Sequence, residues 1–183
     1  MCGIEAVLSE IESQWENVAG SLITKTAASS PKGDVYAAGF WGVDADYTLL
    51  GPPCFAINTE THFAADKYAE RWIPPEWKFD CIEKATEAMR GVYRQAAEAL
   101  AEQDHDTWDK TIESHKQLIA RMCLRITESA RRQTGSFSNV PMHRDFVVGI
   151  FHETDGVDEY DRLAKLSIES SHISQLGLPF DKG

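Results

Sequence analysis

Histidine offers the most versatile chemistry in this chain, and there are six: His62, His105, His115, His143, His152 and His172. None forms a His-x-His pair or a His-Glu-x-x-His helix. His152-Glu153 begins the second pattern, but Gly156 stands where the second ligand would be. His115 lies on the apolar stripe of a helical stretch, where a hydrogen-bonded core imidazole is the first reading and a catalytic base the second. The cysteines are Cys2, Cys54, Cys81 and Cys123. No two are spaced Cys-x-x-Cys and none has a histidine at zinc-ligand spacing, so free thiols in a reducing compartment are expected. No metal or other cofactor is called for.

Cys2 requires its own weighing. Removal of Met1 would expose a thiol next to a free amine, as in amidotransferases with an N-terminal cysteine nucleophile. That chemistry sets the cysteine at the head of a β-strand. Here Ile4, Val7, Leu8, Ile11, Trp15, Val18 and Leu22 follow at helical gaps of three and four. Glycine-rich phosphate loops and Gly-x-Ser-x-Gly are both absent, and Ser136 and Ser138 sit in a polar loop without an evident base.

Carboxylates are the larger signal. The 183 residues hold 29 acids against 18 bases, a formal charge of −11. This balance disfavours nucleic acid and anionic membrane surfaces as partners, and favours a basic protein. Residues 81–135 are neutral overall, so the excess lies outside them. Glu153, Asp155, Asp158, Glu159 and Asp161 form a run with no intervening base. It lacks the oxygen spacing of a calcium loop. A solvated helix start and a docking patch are the two readings, and Asp44 and Asp46 in a predicted hairpin turn add to the second. Trp72 and Trp77 flank Pro74-Pro75 in a stretch that cannot be regular helix; they are core anchors if buried and interface anchors if exposed.

The elements that would position these groups follow from periodicity. An amphipathic helix is expected over 3–24, within an N-terminal segment of 26 residues, then a small-residue linker at 27–33. Residues 34–41 read as a strand and Tyr47–Leu50 as its hairpin partner, with Cys54–Ile57 a further strand beyond Pro52-Pro53. Asn58 or Thr59 caps a short helix reaching about Arg71. Two long helices, about 79–102 and Asp106 to Gln133, are joined by a short connection that makes them antiparallel neighbours. Asp145–Phe151 is nearly all apolar and reads as a central strand. A last helix over about 158–171 and a loose tail close the chain. The expected fold is one α+β domain over 1–183, with a small antiparallel or mixed sheet covered by helices. Glu5, Glu10 and Glu12 occupy the place of a signal peptide's basic region, so a cytosolic location is expected.

The order hairpin, Asn58-Thr59-Glu60, Arg71-Trp72-Ile73-Pro74-Pro75-Glu76-Trp77, then an apolar strand and acidic turn from Phe146 to Asp158, resembles the bacterial domain-of-unknown-function family numbered 4303. The likeness spans about 34–170, and Trp72-x-Pro74-x-Glu76-Trp77 is its most specific part. It supplies no catalytic residues. It implies an immunity protein that neutralises a cognate bacterial toxin without catalysis. Its contact residues would be Glu153, Asp155, Asp158, Glu159, Asp44, Asp46, Trp72 and Trp77. Two other readings stand beside it: a small enzyme using His115, His152 or Cys2 with carboxylates, and an adaptor that self-associates through its long helices.

Overall fold

The computed structural model describes residues 3–43, 50–65, 72–101, 103–151 and 158–176. Helix α1 spans Ile4–Ser29, strand β1 Val35–Trp41, β2 Cys54–Thr59 and the short helix α2 Glu60–Ala65. Strand β3 is Phe79–Asp80, followed by the long helices α3 (Ile82–Leu100) and α4 (His105–Arg131). Strand β4 is Val147–Ile150, and α5 (Asp158–Ser167) and α6 (Ser170–Leu176) complete the described chain. The fold is α+β. Its four-stranded sheet is mixed, in the order β3-β2-β1-β4, with only the β1–β4 pair parallel.

Helix α1 runs five residues past its expected end, because Ala27 and Ala28 favour the helix and Thr26 Oγ1 donates to Leu22 O within it. It stops at Ser30, which is extended as the residue before Pro31 must be. β1 pairs with Cys54–Thr59 and not with Tyr47–Leu50; Tyr47–Leu49 lie outside the described residues and Leu50 is not in a strand. Asp104, two residues before the expected cap, starts α4 by accepting the Thr107 N–H at 2.7 Å. The expected last helix breaks at Ile168-Glu169 into α5 and α6.

The sheet has two covered faces. On one, Val35, Ala38, Phe40, Phe55, Ile57, Val148 and Ile150 meet the apolar stripes of α1, α3 and α4. Trp15 of α1 is the deepest contact, fully buried and edge-on to Phe40 at 5.1 Å. The other face holds Tyr36, Ala37, Trp41, Ala56, Val147 and Phe151 under Trp77, Ile168 and Ile173. A bulge opposite Asn58–Thr59 adds Tyr36 to β1 and puts two consecutive residues, Tyr36 and Ala37, on this second face.

Two glycines set the shape of that second face. Gly39 and Gly149 are register partners on β1 and β4. A β-carbon on Gly39 would lie 2.8 Å from the Phe151 ring and 3.0 Å from both Pro74 and Trp77. One on Gly149 would lie 2.6 Å from Ile168. The pair is a bare strip of backbone on which the Phe151 ring lies.

β4 is an edge strand, not the central one its sequence suggests. Its free edge is closed by side chains. Thr127 Oγ1 accepts the Val148 N–H and Ser167 Oγ accepts the Ile150 N–H, each at 2.9 Å, and Arg131 Nη2 donates to Phe146 O at 3.3 Å. Helices α4 and α5 thus satisfy groups that would otherwise template another strand.

Two substitutions test this packing. Gly39→Ala forces a methyl into the aromatic layer and is expected to destabilise by about 1–3 kcal/mol, read from urea denaturation. Ser167→Ala orphans the buried Ile150 N–H and is expected to destabilise by about 1–3 kcal/mol in the same assay.

Candidate functional site

The parallel pair sets where the chain leaves the sheet. β1 and β4 align from Ala37↔Val147 to Phe40↔Ile150, and the Phe151 N–H continues the ladder to Phe40 O at 2.9 Å. Parallel strands end at the same side of a sheet. The chain therefore leaves β1 through Gly42 and β4 through Phe151 at one end of the molecule. The segment after the first exit carries Asp44 and Asp46, and the segment after the second carries Glu153 and Asp155. These four residues lie outside the described ones, as do Cys2 and His152. Asp158 and Glu159 belong to the first turn of α5 in the chain trace.

An aromatic cluster anchors this region. Trp72 stacks on Phe151 with ring centroids 5.8 Å apart and planes 15° apart, and meets Tyr36 edge-on at 5.7 Å. Trp77 packs against the same Phe151 ring at 5.5 Å. Trp72 is half-buried and retains surface to offer. Trp77 is only 4% exposed, so the exposure on which its interface role depends is not met. It belongs to the core, held over Gly39 by the Pro74–Glu76 3-10 turn.

The histidine with the most altered chemistry is His115. Trp15 Nε1–H donates to Tyr93 Oη at 2.9 Å, and Tyr93 Oη lies 2.6 Å from His115 Nε2. With the phenol oxygen accepting from Trp15, its own proton points to His115 Nε2, and the imidazole proton sits on Nδ1. All three side chains are buried, and Nδ1 has no partner. Burial pushes the His115 pKa down to about 4 and pushes the Tyr93 phenol up. The triad joins α1, α3 and α4. It is a buried relay that ties the three helices together. Burial likewise raises the Cys123 and Cys81 thiols, so neither is a poised nucleophile.

Two other polar clusters were not apparent in sequence. Asp34 Oδ1 accepts from both the N–H and the Oγ1 of Thr61 at 2.9 Å, while Asp34 O accepts the Glu60 N–H. Asp34 thus caps α2 from the residue just before β1, beside the local cap in which Thr59 Oγ1 accepts the His62 N–H at 3.3 Å. Arg131 reaches Glu169 at 3.4 Å and His172 Nδ1 at 3.1 Å as well as Phe146 O, tying α6 to α4 and β4. Asp34 carries no periodic signal, and Arg131 reads as one more charge on a long helix, so pattern alone could not find either. Among the described residues, no group of three or more His, Cys, Asp or Glu converges as a metal site, and no helix is long and apolar enough to cross a membrane.

Neutral buried His115 makes stability depend on pH in a definite direction. Between about pH 6.5 and 4 the unfolded chain takes up a proton that the native state refuses. Stability from this group is therefore complete above pH 6.5 and falls by as much as about 3 kcal/mol as the pH drops to 4. A His115→Gln variant should be weaker at pH 7 and lack this part of the acid-side decline. Urea midpoints of both proteins from pH 7.5 to 4 give the difference.

No family model, no curated protein and no solved structure matches this chain.

Proposed function

We propose that this protein is a non-enzymatic inhibitor that binds a basic protein partner, a cognate bacterial toxin in the cytosol, and blocks its working surface by occlusion. One observation carries the reading. The parallel β1–β4 pair sends two acid-rich segments out from the same end of the sheet, in a chain of formal charge −11. A carboxylate surface of this kind attracts a basic partner over roughly a Debye length and raises the association rate. The half-buried Trp72, packed on Tyr36 and on Phe151 where the chain leaves β4, would add an apolar contact.

The test is affinity capture from the native host, followed by kinetics on the captured protein. A tightly held secreted effector that loses its activity in the complex is the expected result. Reversing Glu153, Asp155, Asp158 and Glu159 to Lys is expected to slow association by about tenfold or more and to flatten its dependence on salt. Unchanged association rates would remove these residues from the mechanism. Retention of a metabolic enzyme, or turnover of a small molecule by the purified chain, would replace the inhibitor reading.

A further inference from the structure

The seam between α1 and the C-terminal half of α4 holds a groove of about 450 Å³, a size that accommodates a long side chain or small ligand. Its floor is Ile126 and Phe137, buried at 1% and 2% exposure. Its walls are polar, with one carboxylate, Glu16, and no lysine or arginine among its lining residues. The walls also have a hydrogen-bonding bias. Asn17 Nδ2 donates to Ser13 O, Thr24 Oγ1 to Ser21 O and Thr134 Oγ1 to Ser129 O. Thr24 and Thr134 have thereby spent their only side-chain proton and keep an acceptor oxygen, Asn17 keeps Oδ1 beside one N–H, and the hydroxyls of Ser21, Ser129 and Ser136 can turn either way.

A second hollow of about 320 Å³ continues along α1 and shares Glu16 and Asn17 with the first. Arg125 lies there, 2.8 Å from Glu12 and 3.3 Å from Glu16. Two carboxylates flank this single guanidinium, so the trough is one negative charge in excess.

An apolar floor suits a methylene stem, and polar walls that carry a carboxylate and no lysine or arginine suit a cationic head. We propose that this α1–α4 groove receives an arginine or lysine side chain projecting from a protein partner. The inference rests on the basic-partner reading above and adds a second contact surface, separate from the end of the sheet. Arginine is the better fit, because its five donors in a flat fork can meet several fixed acceptors at once.

The test is a heteronuclear NMR titration of the whole chain with end-capped tri-arginine, against tri-citrulline, which has the same shape without the charge. Saturable shifts of the Asn17, Thr24 and Ser136 amides are expected with tri-arginine, and at least about tenfold weaker binding with tri-citrulline. Glu16→Gln is expected to weaken tri-arginine about tenfold. Thr24→Val, which leaves the Arg125 pair untouched, is expected to weaken it severalfold. Equal binding of the two peptides, or tri-arginine shifts confined to α5, would overturn the groove assignment. If a captured toxin is still held at full affinity by Glu16→Gln and Thr24→Val, the groove assignment fails while the inhibitor reading survives. If no basic protein is retained by the wild type, the inhibitor reading fails instead.

Discussion

The helical layer of this protein is locked to its sheet by one indole. Trp15 lies edge-on to Phe40 and close to Phe55, and its only polar atom donates to Tyr93, which in turn donates to His115. Three helices from distant parts of the chain are thereby set against each other and against the central strands. A buried indole N–H without an acceptor is costly, and so is a buried imidazole in its charged form. Tyr93 removes the first cost and burial keeps His115 neutral, while Nδ1 of the imidazole remains without a partner. Helix α1 packs against both α3 and α4 at this point, so the relay fixes their spacing as well.

The opposite face obeys a different constraint. It uses small residues to admit large ones. Ala37, Gly39, Ala56 and Gly149 present little side chain, and Trp72, Trp77, Phe151 and Ile168 fill the space above them. A loop containing two prolines can cover a sheet face in this way because its rings need only a flat floor. The aromatic layer then fixes the direction in which the chain leaves β4.

Much of the architecture was legible from the sequence. The three- and four-residue gaps in α1, α3 and α4 come directly from the helical repeat, and they correctly placed His115 and Trp15 on buried stripes. The α+β class followed from the order of elements, which left the sheet antiparallel or mixed until the parallel β1–β4 pair decided it. β4 was misplaced within that sheet for a physical reason. A strand covered on both faces loses its polar alternation whether it is central or lies at an edge capped by Thr127 and Ser167. β3 is two residues long, too short to show any period. The caps of α4 illustrate a finer limit: Asp104 and Asp106 are equally good cap residues, and only the bond to the Thr107 N–H decides between them. Of the candidate site, pattern picked out the Trp72–Trp77 segment but could not assign its two tryptophans different depths, since Trp77 is set by its seat over Gly39. The groove between α1 and α4 was invisible, because its character arises from where hydroxyl protons point.

The parallel pairing of β1 with β4 joins stretches on the order of a hundred residues apart in the chain. Such a ladder closes late, since the intervening loop must first shorten through the folding of α3 and α4. Before closure, the two carboxylate-bearing exits point to unrelated places. A half-made chain or a nascent one therefore has its charge but not its arrangement. The common end of the sheet from which both segments leave exists only once β4 lies beside β1.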